Sequence, residues 1–475
     1  MWTEAIVILH YAAALLVSIR VLLRPRLEPT VRLSWILVIE LVPIVGIVAY
    51  LLFGEIRMRR AEIQKMADVR DRLTGSWQDS PQTVTHPAAF AAPVVASNLA
   101  VGAMKAVSGN YLTLEPEGDE AIDALVQAMD GASDHIHILF YIWLDDPSGR
   151  KVAQAAIRAV QRGVHVRVII DAIGSRGFAR SGNWTQMRHA GIECVEAFPL
   201  GLPLISALFQ RMDLRNHRKI VVIDNHLAFS GSRNCSDQAF AIKPRFAPWV
   251  DIFMRIEGPV VRQMQVIFLQ DWMSYTGEDL GHMLQVVPAA AVPGMTAQVI
   301  ATGPDRREGS LSDSMATLIH AARETLVITT PYYVPDSALD SAIRVAARRG
   351  VKVTMILPER NDSLVVQATS QGFYYGLVRA GVRLYLFKPG LLHAKIITAD
   401  SRMTMFGSAN MDRRSFELNY EMNIFVVDDS LAHDLEARQQ SYIARSREIT
   451  LSEIAGWSMG RRLRNNLLAL AAPLL

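Results

Sequence analysis

His217-Arg218-Lys219-Ile220-Val221-Val222-Ile223-Asp224 is followed, after a six-residue gap, by Gly231-Ser232-Arg233-Asn234. The pattern returns as His393-Ala394-Lys395-Ile396-Ile397-Thr398-Ala399-Asp400 and, after the same gap, Gly407-Ser408-Ala409-Asn410. Two such copies mark a duplicated unit. In each, histidine and lysine stand two positions apart, so a strand projects both from one face. The β-branched run after each lysine supports the strand, and Asp224-Asn225 or Asp400-Ser401 marks the turn that ends it. A second short apolar run then leads to Gly-Ser, where glycine allows close backbone approach to a bound group and serine and asparagine supply hydrogen-bonding atoms. Each copy reads as a hairpin that gathers His, Lys and Asn.

Outward from these hairpins the repeat continues. The stretch beginning at Asp123 (DALVQAMDGASDHIHILFYIW) aligns with that beginning at Asp313 (DSMATLIHAARETLVITTPYY), both read as helix, turn, strand. Arg162-Gly163-Val164 and Arg349-Gly350-Val351 each close a helix with glycine and open an apolar strand. Helices alternating with buried strands predict an α/β fold of two pseudo-symmetric sandwich halves. The alignment breaks before the first motif, where the chain carries 14 additional residues within 198–212, with Leu204, Ile205, Leu208 and Met212 at helical spacing. This apolar insertion reads either as a satellite core helix or as a membrane-dipping element at the mouth of the site.

With 475 residues the chain exceeds one hydrophobic core, which suits two fused halves. A net charge of +3 fits an anionic surface or substrate and lacks the basic stripe expected of a nucleic-acid enzyme. Cys194 and Cys235 form neither a disulfide framework nor a metal-ligand pattern. The mean hydropathy of +0.17 has its source in two apolar runs, residues 6–23 and 33–53. Both approach the length of a spanning helix, so residues 1–56 predict a membrane-anchoring hairpin, spanning or re-entrant, with Glu40 facing the partner helix or the membrane boundary and Pro43 and Gly46 kinking the second run. Arg24, Arg26 and Arg32 lie between the runs; Arg57, Arg59, Arg60, Lys65, Arg70 and Arg72 follow them and favour a cytoplasmic body. Residues 57–100 read as a charged helical neck and a linker, 101–288 as the first half and 289–475 as the second. His135, His137, His165, His189 and His320 have no repeat partners and read as structural. The C-terminal residues 461–475 join a basic cluster to an apolar end, which fits a membrane-surface contact or a helix packed on the body.

One hairpin is a half-site. Two, brought together by an approximate two-fold, supply two imidazoles, two ammonium groups and two carboxamides around one point. That set suits a phosphodiester: one imidazole attacks phosphorus, the other protonates the leaving oxygen in line, and the cations and amides hold the non-bridging oxygens. No cluster with metal-ligand spacing stands out, and no cofactor is called for.

The paired motifs resemble those of the phospholipase D superfamily, and the hairpin plus two halves is similar to its bacterial cardiolipin synthases. Leu139-Phe140-Tyr141-Ile142-Trp143-Leu144-Asp145-Asp146, Thr330-Pro331-Tyr332-Tyr333-Val334-Pro335-Asp336 and Arg413-Arg414-Ser415-Phe416-Glu417-Leu418-Asn419 carry the likeness further. The resemblance implies ping-pong transfer of a phosphatidyl group between two phosphatidylglycerol molecules through a phosphohistidine, at the bacterial inner membrane and among anionic lipids; a hydrolytic phospholipase D uses the same hairpins. It implies His217 as nucleophile and His393 as acid, an order that the symmetry of the motifs leaves open. Lys219, Asp224, Lys395 and Asp400 complete the implied catalytic set, with the two aspartates better suited to supporting hairpin and lysine than to acid–base work. Ser232, Asn234, Ser408 and Asn410 are the implied phosphate binders. Glu421 resembles the family's histidine-orienting carboxylate; Asp251 is its counterpart, with Glu257 as a rival.

Overall fold

The protein is described here by a computed structural model covering residues 2–24, 27, 29–42, 44–55, 60–75, 82–199, 213–285, 289–291, 293–306 and 309–469. The duplication read in the sequence extends to the strand order. From its outer edge inward, the first half runs Glu193–Ala197, His165–Asp171, His135–Phe140, Lys219–Ile223, Leu227–Gly231, Phe253–Glu257 and Val107–Leu114. The second half repeats that order with Arg383–Phe387, Lys352–Pro358, Thr325–Thr329, Ile396–Ala399, Met403–Gly407, Asn419–Val427 and Met295–Thr302, and adds Ser446–Ile449 at its edge. The innermost strands of the halves pair antiparallel, so one sheet runs through the molecule.

Within each half the outer strands are parallel and need crossover helices. The helices Pro147–Gln161 and Ser337–Arg348 serve this purpose. Asp146 and Asp336 cap them alike, each accepting a hydrogen bond from the backbone N–H of the third residue on, at 2.9 and 2.8 Å. Each half is an α/β sandwich, as the sequence predicts. The helix Val260–Thr276 lies in the central core and is buried from Val260 to Met273, which explains its uninterrupted burial without a polar face.

Several segments differ from the sequence reading. The second N-terminal run is two helices, Pro29–Leu41 and Val45–Phe53, packed with Trp2–Leu22. Among the described residues no helix is long and apolar enough to cross a membrane, so of the two forms expected for the hairpin the spanning one finds no support in these helices. Glu40 does face the partner helix, accepting a hydrogen bond from Ser18 at 2.9 Å. The stretch read as linker ends in the helix Ala92–Gly102, whose Val94 is fully buried in the second-half core and whose Asn98 receives a hydrogen bond from Ser314. Few charges and an early proline hid it, but a helix lacking a polar face is stable when both sides are covered. The apolar residues Leu204, Ile205, Leu208 and Met212 of the insertion lie outside the described residues, as do Pro43, Arg26, Arg57 and Arg59. At the C-terminus, Met459–Ala469 is a helix packed along Leu364–Arg379, with Asn465 buried and bonded to Gln371 at 3.0 Å. His135 and His137 are buried, and His137 stacks on Phe268 at 4.5 Å.

Candidate active site

The two motif histidines are brought together by strand pairing that crosses between the halves. The short strand Arg215–Asn216 runs parallel to the start of Asn419–Val427, and the His217 N–H continues the ladder to the Tyr420 carbonyl at 2.9 Å. In mirror fashion Leu391–Leu392 runs beside Trp249–Val250, and the His393 N–H reaches the Val250 carbonyl at 2.7 Å. Each histidine is therefore seated against the residue that precedes the other half's carboxylate. Nδ1–H of His217 donates to Glu421, 3.0 Å from both oxygens, and Nδ1–H of His393 donates to Asp251 at 2.7 Å. This leaves Nε2 of each ring for chemistry. Glu257 pairs with Arg255 at 3.0 Å and touches neither imidazole.

The serines take a different place from the one expected. Ser232 donates to Asp251 at 2.6 Å and Ser408 donates to Glu421; both are fully buried and neither lines the cleft. They hold the orienting carboxylates rather than substrate phosphate, because the strand that carries each carboxylate passes directly beside the Gly-Ser turn. Close approach explains the glycines too: a Cβ on Gly231 would stand 2.4 Å from the Ile252 carbonyl oxygen, and one on Gly407 the same distance from that of Met422. The tight neighbour is a strand, not a bound group.

Asp224 and Asp400 stand away from the cleft and support their hairpins, the role the sequence reading preferred to acid–base work within the catalytic set. Asp224 accepts from the backbone N–H groups of Ser133, Asp134 and His135, each at 2.8 Å. Asp400 does the same for Arg323, Glu324 and Thr325 at 2.7 to 3.0 Å. Each ties its hairpin turn to the start of the adjacent strand and leaves the lysine untouched. Lys219 and Lys395 are buried beneath the histidines and donate to the His217 and His393 carbonyls at 2.6 Å. Lys395 also lies 3.0 Å from Nε2 of His393. Among the described residues no group bonds Nε2 of His217.

Both histidines open on one cleft of about 490 Å³, together with Asn234 and Asn410 as expected. Its walls hold residues to which the sequence reading gave no role. Tyr141 meets His217 edge-on at 4.7 Å, Trp249 lies 4.8 Å from His393, and Phe240 stacks on Trp249 at 3.7 Å. Asn419 donates to Glu421 at 3.1 Å, and Asp362 accepts from Tyr332 at 2.7 Å and Lys243 at 2.6 Å. Tyr141, Tyr332, Arg414 and Asn419 fall in the three stretches that carried the family likeness, which was the available signal.

The geometry agrees with what the chain is similar to. The family described as "Cardiolipin synthase, PLD-like domain" matches residues 125–272 and 315–443. The chain belongs to this family. "Phospholipase_D-nuclease N-terminal" matches residues 12–55. Cardiolipin synthase A of Proteus mirabilis (strain HI4320) is 36% identical over 97% of this chain and 96% of its own length. That of Edwardsiella ictaluri (strain 93-146) is 37% identical over the same shares. Among solved structures, phosphatidylserine synthase of Haemophilus influenzae Rd KW20 aligns with a TM-score of 0.59 and 13% identity, covering 81% of this chain and 100% of that one, a likeness of fold.

In this member of the cardiolipin synthase family, burial sets the protonation of the site. It pulls His217 down to about 4, partly offset by Glu421, and lowers His393 in the same way against Asp251. Burial alone would raise both carboxyls, but His217 and Lys219 hold Glu421 at about 2, and His393 and Lys395 hold Asp251 at about 2. The lysines fall for the same reason of burial, Lys219 to about 7 and Lys395 to about 8. At neutral pH the site thus offers a neutral imidazole beside a fixed carboxylate, over ammonium groups near their titration point.

Proposed function

We propose that the protein condenses two phosphatidylglycerol molecules into cardiolipin and glycerol at the bacterial inner membrane. The observation that carries this reading is two imidazoles in one cleft, each oriented by a carboxylate from the opposite half. Nε2 of His217 attacks phosphorus; the phosphorus–oxygen bond to glycerol breaks, and Nε2–H of His393 gives the departing oxygen its proton. A hydroxyl of the second phosphatidylglycerol then returns a proton to His393 and displaces His217, forming cardiolipin. The assignment of His217 as nucleophile is supported by its unengaged Nε2, whereas Nε2 of His393 already faces the Lys395 ammonium. The bound phosphodiester anion favours the imidazolium of His393 and the charged lysines. Asn234 and Asn410 steady the non-bridging oxygens, and no cofactor enters the scheme. The apolar N-terminal helices hold the chain at the membrane with its body on the cytoplasmic side.

Incubation of the purified protein with labelled phosphatidylglycerol in vesicles tests the reaction. Cardiolipin plus glycerol is expected; phosphatidic acid alone would make the enzyme a hydrolase, and no turnover would end both readings.

The pH profile is a separate expectation. Protonation of His217 lowers kcat/KM as pH falls toward about 4, while a lysine keeps its charge only below its own pKa, so rising pH discharges Lys219 from about 7 and Lys395 from about 8. The alkaline limb should appear chiefly as a rise in KM, because an anion binds less well to neutral amines. A KM that stays flat to pH 9 would remove the lysines from phosphate binding.

A further inference from the structure

Three loops distant in the chain meet at the mouth of the cleft, and each carries an exposed aliphatic side chain beside an exposed cation. Ile173 follows the strand His165–Asp171, with Arg176 three residues on. Ile242, 58% exposed, is followed by Lys243, whose ammonium pairs with Asp362 at 2.6 Å, and by the exposed Arg245. Leu364, 80% exposed, opens the helix Leu364–Arg379 with Val365, and Arg360 precedes it. Single exposed aliphatics are ordinary. Here the same combination recurs on three separate loops around one opening, and Ile173, Ile242, Lys243, Ser363 and Val366 themselves line the cleft.

The rim is also continuous with one wall of the site. Leu144, Phe240, Trp249 and Leu391 form a buried apolar cluster that Ile142 and Phe246 extend. This wall reaches from Trp249, against His393, through Phe240 to the loop that carries Ile242. The pseudo-two-fold shows that it is not a by-product of the fold. Trp249 pairs with Leu391 in one crossed ladder, and the corresponding pair in the other is Asn419 with Arg215. The same backbone position is thus apolar on one side of the site and polar on the other. On the second-half flank, the helix Met459–Ala469 exposes Met459, Leu463 and Leu467 at one-turn spacing beside Arg462 and Arg464, and its last turn touches Thr369 through the Leu468 carbonyl at 3.3 Å.

We propose that this rim is a docking face for an anionic phospholipid bilayer. It seats the mouth of the cleft on the headgroups, with the aliphatic tips in the interface and the cations among the phosphates. A lipid then reaches the histidines along the Phe240–Trp249 wall while its acyl chains stay in apolar surroundings. The proposal rests on the lipid-substrate reading, and two readouts separate the two.

The first is depth. Full-length Leu364→Cys, carrying a polarity-sensitive fluorophore, should shift to the blue and be quenched by lipid-borne quencher in phosphatidylglycerol vesicles. Salt should weaken the effect. Gln161→Cys, exposed at the opposite end of the strand His165–Asp171, should stay aqueous. A Leu364 label that remains aqueous overturns the proposal, as does equal quenching in neutral vesicles. A blue shift that needs no lipid and grows with protein concentration assigns the face to a second copy of the chain and overturns it as well. The second readout is rate. A Leu364→Ser/Val365→Ser variant should turn over vesicle phosphatidylglycerol at least tenfold more slowly, yet keep its rate on a short-chain monomeric phosphatidylglycerol within about twofold. Equal losses on both substrates, or none, count against docking. If the wild type turns over neither, the lipid-transfer reading fails while the depth measurement still decides the docking face.

Discussion

Replacing either His217 or His393 by alanine is expected to lower cardiolipin formation by about 10⁵-fold or more, a magnitude typical of losing a member of a catalytic unit that acts as one. The two losses differ in kind, and a substrate with a good leaving group separates them. A phosphatidyl ester of p-nitrophenol needs no proton on departure. With it, His393→Ala should release a burst of p-nitrophenol and retain the phosphatidyl label on the protein, because the nucleophile is intact. His217→Ala should give neither burst nor label. If the pattern is reversed, the roles of the histidines exchange; if either variant still makes cardiolipin at an appreciable rate, the two-histidine mechanism fails. Neither truncation leaves a carboxylate bare: Glu421 keeps bonds from Asn419 and Ser408, and Asp251 keeps one from Ser232, so the variants should fold.

What could be read from the chain follows the range of the interactions. The hairpins, the duplicated helix–strand units and the glycine-ended helices are local, and local periodicity fixes them. The same holds for His217, Lys219, His393 and Lys395, which two-residue spacing places on one face. Asp224 and Asp400 support their hairpins, as the sequence reading favoured, and only the expected link to the lysines is missing. Ser232 and Ser408 were misplaced because their partners lie on other strands: a motif shows which atoms a side chain offers and not which backbone passes beside it. Trp249 and Asn419 belong to the same class, since their contrast exists only once the two ladders are superposed by the pseudo-two-fold. The N-terminal runs were legible as apolar, and Pro43 and Gly46 marked the break that falls between Leu41 and Val45, but composition alone did not give the length of each helix.

The crossing of the carboxylates is the feature with the sharpest consequence. Glu421 is 204 residues from His217 and Asp251 is 142 from His393, yet each is the partner that fixes the imidazole of the opposite half. Glu421→Gln and Asp251→Asn keep shape and most hydrogen bonds while removing the charge that selects the Nδ1–H tautomer and stabilises the imidazolium. By analogy with other carboxylate–histidine pairs the rate should fall by about 10³- to 10⁴-fold. Each carboxylate variant should then copy the histidine it touches and not the one in its own half. On the p-nitrophenyl ester, Asp251→Asn should be rescued as His393→Ala is, while Glu421→Gln, which weakens the nucleophile, should remain slow in burst and labelling. Its acid limb should move as well: without the Glu421 charge, which raises the His217 pKa against burial, the imidazole protonates at still lower pH. Were the pairs uncrossed, Asp251→Asn would instead lose the burst and Glu421→Gln would keep it. The two variants on one activated substrate therefore test the geometry itself, because only an exchange of strands between the halves makes a residue of the first half serve the acid of the second.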